Sequence, residues 1–286
     1  MDERAALGLI GDALPAAGDD CAIVGSTVVT TDMLHETTDF PPGTTRYTAG
    51  WRSVGASLSD VAAMGAEATA AVAVYAAPSF EESELRAFLR GAREVCETTG
   101  ARYVGGDLDS HEEFTVATTA LGETDAPVSR SGATPGEAVC VTGTLGRSAG
   151  GFRLFETDPE RANELFRFEP RVATGRAVAP HASAMMDSSD GLARSLHQLA
   201  EAADCGFAIE SDRLPVHESV AEVAADDADA RELALHFGED FELVFTTPEP
   251  ERVRETSPIP VAVVGEVTET SVEMDGEPLP DRGYTH

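Results

Sequence analysis

Along the chain the first apolar and polar grouping that predicts an element is 26–33 (STVVTTDM), which reads as a strand because it is rich in valine and threonine. The next long pattern, 45–66 (TRYTAGWRSVGASLSDVAAMGA), has helical spacing and many small residues. A buried strand run follows at 69–78 and stops at Pro78, then a second helix is predicted over 79–100. That helix has Ser79 as its candidate cap, glutamates in its first turns and Gly100 past its end. Residues 114–123 and 138–146 are further strands. Between 147 and 182 the pattern turns helical and more polar, punctuated by Pro159, Pro170 and Pro180. Another helix is expected after 182–191 (ASAMMDSSDG), where Leu192, Leu196 and Leu199 share one face. A strand at 206–210, a loop with Pro215 and short helical pieces come next; strands at 240–250 and 260–269 then flank a short helix. Asp275-Gly276 marks a turn in the tail. The expectation is an α/β (α+β) chain of two halves, residues 1–140 and 141–286, with no short repeat and no low-complexity segment.

Composition sharpens this picture mainly through charge. Twenty basic residues stand against 51 acidic ones, a net charge of −31, and every basic residue is arginine. The acids are spread along a chain that keeps a globular pattern, so they form a solvated surface suited to high salt, where the Debye length shrinks to roughly 3 Å at 1 M. A halophilic source is expected. Nucleic acid is excluded as a partner, because phosphate backbones call for basic patches. Without lysine there is no Schiff-base chemistry and no P-loop lysine. The four cysteines (Cys21, Cys96, Cys140, Cys205) form no CxxC and fit buried free thiols better than zinc or a disulfide framework. No apolar run approaches the roughly 18 residues of a membrane span, and the start MDERAALGLI has neither the basic opening nor the cleavage site of a signal peptide. A soluble, cytoplasmic protein is expected.

The candidate chemistry lies in aspartates at the ends of strand-like runs. Asp19 and Asp20 precede a strand; Thr30, Thr31 and Asp32 end one; Asp60 sits in the small-residue helix; Asp107 follows a Gly-Gly pair. Asp187 and Asp190 fall in MMDSSDGL, and Glu239 and Asp240 in FGEDFEL. Ligands gather at strand ends in open α/β sheets. Carboxylates and hydroxyls are hard oxygen donors suited to Mg²⁺, which is held by a few carboxylates together with substrate phosphates. Several aspartates converging on one cleft need cations to stay ionised, and neighbouring glycines admit phosphate close to the backbone. The pattern points to a nucleotide held through several metal ions. Each item alone has a blander reading: an aspartate before a helix as a cap, GDD as a turn, small residues as close helix packing.

Seven segments in order (GDDCAIV, TTDMLHETTDF, SLSDVAAMGA, GGDLDS, SRSGATPGEAVCVTG, MMDSSDGL and GEDFELVFT) resemble the thiamine-monophosphate kinase family over nearly the whole chain, from about residue 8 to the terminal GYTH. The resemblance implies the fold of aminoimidazole ribonucleotide synthetase: an N-terminal ATP- and Mg-binding half that dimerises, and a C-terminal α/β half that completes the nucleotide and substrate site. It implies transfer of the ATP γ-phosphoryl group to thiamine monophosphate, giving thiamine diphosphate. It also assigns roles by position. Asp20, Thr30, Thr31, Asp32, Asp60, Asp107, Asp187 and Asp190 match metal ligands, with Asp19 as a neighbour. Gly106, Asp107, Arg130 and Ser189 match ATP contacts, and Asp60, Asp107 and Arg130 the catalytic charges. Asp39, Glu239 and Tyr284 fall at substrate-side positions. The chain departs from the family pattern at Asp39 (His), Ser57 (Asn), Leu89 (Tyr), Leu108 (Thr) and Phe237 (Gly).

What the resemblance implies for mechanism is direct in-line transfer assisted by several Mg²⁺ ions, with no phosphoenzyme, in a homodimer whose ligands are ATP and thiamine monophosphate. The alternatives are another ATP-dependent enzyme of this fold or a non-catalytic binder of nucleotide or divalent cations.

Overall fold

The computed structural model of the protein describes residues 9–11, 13, 14 and 17–284. The charged residues 1–8, used in the signal-peptide reading, and the last two residues of GYTH lie outside that set. Two mixed sheets with helices packed on them make up the chain, as the α/β expectation requires.

Strand β1 (Ala22–Val24) turns at Gly25-Ser26 into β2 (Thr27–His35). A one-turn helix at Glu36–Asp39 precedes the long helix α1 (Arg46–Ala63), and β3 (Glu67–Ala77) follows. Helix α2 (Glu82–Thr99) carries the chain over to β4 (Arg102–Ser110), parallel to β3, and β5 (Thr115–Glu123) closes the sheet in the order β1-β2-β5-β3-β4. Ser79 does not cap α2: Glu81 occupies the N-cap without a side-chain bond, while Glu82 and Glu84 in the first turn and Gly100 at the C-cap follow the prediction. The Gly-Gly-Asp segment is not a turn but the middle of β4, an edge strand.

Alternation along these strands sends two sets of side chains in opposite directions. Val28, Val116, Ala120 and Ala71 face α1 and α2 and are buried with Leu58, Val61 and Phe88. On the other face Met33, Val74 and Leu121 are exposed, and no described element of the chain covers them.

The second sheet begins with β6 (Ala138–Thr142). Helices α3 (Arg147–Leu154), α4 (Pro159–Phe166) and α5 (Val172–Val178) follow, then β7 (Ala184–Ser188) and α6 (Leu192–Ala203). The chain continues through β8 (Gly206–Ile209), α7 (Glu218–Val223), α8 (Asp227–Leu235), β9 (Glu242–Thr247), α9 (Pro250–Thr256), β10 (Val261–Thr268), β11 (Val272–Met274) and β12 (Glu277–Pro278). Strand order is β12-β11-β8-β10-β6-β9-β7. Leu192, Leu196 and Leu199 of α6 are fully buried on this sheet, as their spacing predicts.

The first half is held to its helical layer by an unusually close crossing of α1 and α2. A Cβ at Gly50 would meet the Phe88 carbonyl oxygen at 2.2 Å, and one at Gly91 would meet that of Tyr47 at 2.0 Å. Each helix thus presents a glycine to the other's backbone, and a methyl group there forces the pair apart. Gly91→Ala is expected to cost about 1–3 kcal/mol of stability by overpacking. A denaturant midpoint equal to wild type contradicts this account.

Candidate active site

One oxygen from each of Asp20, Asp60 and Asp187 lies within 4.8 Å of the others. The three come from distant parts of the chain: the segment before β1, the last turns of α1, and the end of β7 in the second sheet. Asp20 and Asp187 are buried, whereas Asp60 is partly exposed and opens the cluster to solvent. Thr30 donates to Asp60 Oδ2 at 2.5 Å, and Ser57, one turn before Asp60, donates to Asp32 Oδ2. Arg130 grips Asp20 with two nitrogens, Nη2 to Oδ1 at 2.8 Å and Nε to Oδ2 at 3.1 Å, while its backbone N–H donates to Asp19 at 2.9 Å.

Electrostatics in this cluster are costly. Burial, and then Asp32, Asp187 and Asp20, push the Asp60 carboxyl well above its ordinary range. Burial and then Asp20 do the same to Asp187. Asp32 is raised by burial despite the Ser57 hydroxyl. Asp187 Oδ2 is buried with no hydrogen-bond partner among the described residues. Hard oxygen donors at this spacing, one of them unsatisfied, fit a divalent cation such as Mg²⁺.

Not every expected ligand joins the cluster. Thr31 points to the open face of the sheet and donates to the Thr118 carbonyl at 2.8 Å. Asp107 lies on edge strand β4, in register with Val74 on that same open face. Strand β4 is three strand spacings from β2, about 14 Å. Gly106 belongs there too; a Cβ on it would meet the Ala73 carbonyl at 1.8 Å. Beside it, Ala73, Tyr75, Phe88, Leu89 and Tyr103 line a groove of about 380 Å³ that Gly106 and Asp107 complete.

Ser189 and Asp190 lie in the loop between β7 and α6, and their backbone carbonyls tie that loop to Glu239 and Tyr284. The Glu239 N–H donates to the Ser189 carbonyl at 2.6 Å, and the Tyr284 N–H to that of Asp190 at 3.0 Å. Gly191, not Asp190, takes the N-cap position of α6, at φ +101° and without a side-chain cap. A Cβ at Gly238 would meet the Ser189 carbonyl at 2.2 Å, so the loop at 238–241 is pressed onto the loop before α6. Glu239 and Phe241 adopt left-handed backbone (φ +63° and +54°), each costing about 1–3 kcal/mol outside glycine, the kind of strain found at functional sites.

The three positions matched to the substrate side by resemblance, Asp39, Glu239 and Tyr284, lie in different segments of the chain. Burial, then Glu239 and Asp39, raise the Tyr284 hydroxyl above its ordinary range, so both carboxyls act on the phenol. Tyr284 packs on Phe237 (5.2 Å between ring centroids), which packs on Phe152 at the same distance. Asp39 accepts from the His35 N–H at 2.6 Å and the Thr38 hydroxyl at 2.7 Å. Sequence reasoning missed Arg52, which pairs with Glu239, although a lone cation in a small-residue, buried helix face is as conspicuous as Asp60. It also missed that Asp240 turns inward: the carboxylate accepts from the Gly146 and Ser148 N–H groups at the start of α3, and burial pushes it up to about 7. The cysteines are free thiols as expected, three of them buried and Cys205 partly exposed.

Comparison with known proteins agrees with this geometry. The family description AIR synthase related protein, N-terminal domain, matches residues 18–124, and the corresponding C-terminal domain matches 134–275. The thiamine-monophosphate kinase of Halobacterium salinarum is 62% identical over 100% of both chains. That of Methanospirillum hungatei is 42% identical, over 100% of this chain and 99% of its own. The chain belongs to the thiamine-monophosphate kinase family. Among solved structures, AaThiL complexed with AMPPCP and TMP superposes with a TM-score of 0.90 at 30% identity, covering 99% of this chain and 96% of that one. Family membership carries the α/β two-half fold with it. No helix among the described residues is long and apolar enough to cross a membrane.

The acidic cluster sets a pH dependence. Asp60 and Asp187 keep their protons in the folded chain at pH values where the unfolded chain has released them, so the unfolded state binds fewer protons and stability falls as pH rises above the ordinary carboxylate range. Thermal melting of metal-free protein is expected to decline from about pH 5 to pH 7, and added Mg²⁺ to raise the melting temperature most at the upper end. Asp187→Asn is expected to stabilise the metal-free form and abolish the Mg²⁺ gain. A Mg²⁺ gain that survives the substitution removes Asp187 from the site.

Proposed function

We propose that the protein transfers the γ-phosphoryl group of ATP to thiamine monophosphate, yielding thiamine diphosphate and ADP. The observation that carries this reading is the packing of one oxygen each of Asp20, Asp60 and Asp187 within 4.8 Å of one another. The family relatives and the AaThiL complex with AMPPCP and TMP support the same substrates. Asp20, Asp32, Asp60 and Asp187 would hold Mg²⁺, with Thr30 orienting Asp60. When bound, Mg²⁺ neutralises phosphate charge and allows two anions to approach.

The chain's own residues supply the rest. Arg130, locked to Asp20, adds a fixed positive charge next to the cluster; burial opposes that charge, and the Asp20 carboxylate outweighs the opposition. The acceptor is a phosphate oxygen already largely ionised near neutral pH, so no strong general base is needed. Tyr284, with Phe237 beside it, offers an aromatic face to the thiamine rings, and the Asp39 and Glu239 carboxylates favour the positive thiazolium. An acceptor that needs no activation calls for no covalent relay on the protein, which fits direct in-line transfer without a phosphoenzyme.

Asp107, Thr31 and Gly106 enter this reading through a second copy of the chain. Met33, Val74 and Leu121 make an uncovered apolar face bordered by Asp107. A homodimer packed on that face buries it and brings the Asp107 side of one copy toward the acidic cluster of the other. The groove beside Gly106 and Asp107, apolar and flanked by Tyr75 and Tyr103, suits a nucleotide base. The acidic surface fits activity in high salt, and the absence of a spanning helix among the described residues fits a cytoplasmic location.

The deciding assay measures ADP formed in high salt with Mg²⁺, with and without thiamine monophosphate. Dependence on thiamine monophosphate is expected; nucleotide binding without turnover favours the non-catalytic reading. Asp60→Asn is expected to lower kcat by about a thousandfold or more, roughly 4 kcal/mol, in a folded protein; near-normal kcat removes Asp60 from the metal site. Mixing inactive Asp60→Asn and Asp107→Asn chains is expected to restore activity toward about a quarter of wild type, since only mixed dimers hold one intact site. No recovery after verified subunit exchange places both residues in the site of one chain.

A further inference from the structure

Helix α1 carries two charged side chains into opposite ends of the site. Asp60, near its C-terminal end, belongs to the acidic cluster, and Arg52, eight residues earlier, pairs with Glu239 of the second half. At 1.5 Å per residue the two are about 12 Å apart along the axis. Arg52 is 1% exposed. Its Nη2 donates to the Glu239 carboxylate, and its Nη1 donates to the Phe166 carbonyl and lies 3.5 Å from the Ser148 hydroxyl. The guanidinium lies 3.7 Å above the centre of the Phe166 ring, with Phe168 and Phe241 further around it. The Ser148 hydroxyl also donates to the Glu239 carbonyl at 2.6 Å. Glu239 is therefore held by side chain and main chain in left-handed backbone, at a contact between the two halves.

We propose that Arg52 is a positioning residue for the acceptor substrate. Anchored in α1, it fixes the Glu239 carboxylate relative to Asp60, and so fixes the spacing between the thiamine monophosphate pocket and the metal cluster. A guanidinium suits this role because its planar fork holds the carboxylate and the Phe166 carbonyl together, whereas an ammonium is a point charge on a flexible stem. Without Arg52, Glu239 is a buried carboxylate with its ion-pair partner removed, in a strained loop free to relax. Nucleotide at the acidic cluster, about 12 Å away along α1, is expected to be insensitive to this contact.

The inference rests on reading Glu239 as a substrate-side residue, and its test separates the two. Steady-state kinetics would be measured for wild type, Arg52→Met, Arg52→Gln and Arg52→Lys, with melting temperatures and with Mg²⁺-ATP affinity by calorimetry. Arg52→Met is expected to raise KM for thiamine monophosphate roughly tenfold or more and to lower kcat, with ATP affinity within about twofold of wild type. Arg52→Lys is expected to recover part of the KM loss. Arg52→Gln, which retains a donor toward the Phe166 carbonyl, replaces the methionine variant if that chain does not fold. A folded neutral variant with unchanged KM for thiamine monophosphate overturns the proposal, as does a parallel loss of ATP affinity, which marks a purely structural role. Wild-type protein that forms no ADP in response to thiamine monophosphate defeats the functional reading instead. An active Glu239→Gln variant whose KM for thiamine monophosphate equals that of wild type removes Glu239 from the substrate side and overturns the proposal with it.

Discussion

Crowding of like charge is the constraint around which the molecule is organised. Three carboxylates drawn from three separate segments meet within 4.8 Å, with Asp32 close behind them. Burial and repulsion from neighbouring carboxylates act against the ionised forms of Asp60 and Asp187, so the packing of the two sheets carries this unfavourable contact continuously. A fold shaped only for stability would place apolar groups there. The protein instead uses Arg130, Thr30 and Ser57 to satisfy part of the cluster, and leaves an oxygen of Asp187 without a partner among the described residues.

Helix α1 is the element that makes the arrangement possible. It is buried along most of its length, crosses α2 through glycine on both sides, and carries Arg52, Ser57 and Asp60 into contacts with other parts of the chain. Trp51 adds a hydrogen bond from its indole to the Phe168 carbonyl, and Thr45 accepts the neighbouring Thr48 N–H as the helix cap. Because the second half is tied to this helix at Phe166, Phe168 and Glu239, the acidic cluster and the loop bearing Glu239 share one rigid reference.

Much of this was legible in the sequence, for identifiable reasons. The β-branched run at 26–33, the leucines of α6 and the helical spacing over α1 are strong signals, and the structure follows them. Local chemistry was harder to read. Ser79 has the right identity for a cap but stands too early, and Gly-Gly-Asp looks like a turn because glycine usually marks one, yet β4 uses glycine to lie flush against β3. Resemblance by position singled out Asp20, Asp60 and Asp187, which the structure brings within 4.8 Å of one another, because each matched a motif. It grouped Thr30 with Thr31 as well, although adjacent residues of a strand point to opposite faces. Arg52 escaped notice because its partner lies 187 residues away, a distance no local pattern spans.

The open face of the first sheet has a consequence for folding itself. Met33, Val74 and Leu121 wet in a lone chain are apolar area that contributes nothing until something covers it. Under the proposed pairing, part of the free energy that stabilises the fold belongs to an encounter between two molecules. The abundance of the protein then becomes a thermodynamic variable: dilution weakens each chain, and accumulation strengthens it without any change in sequence.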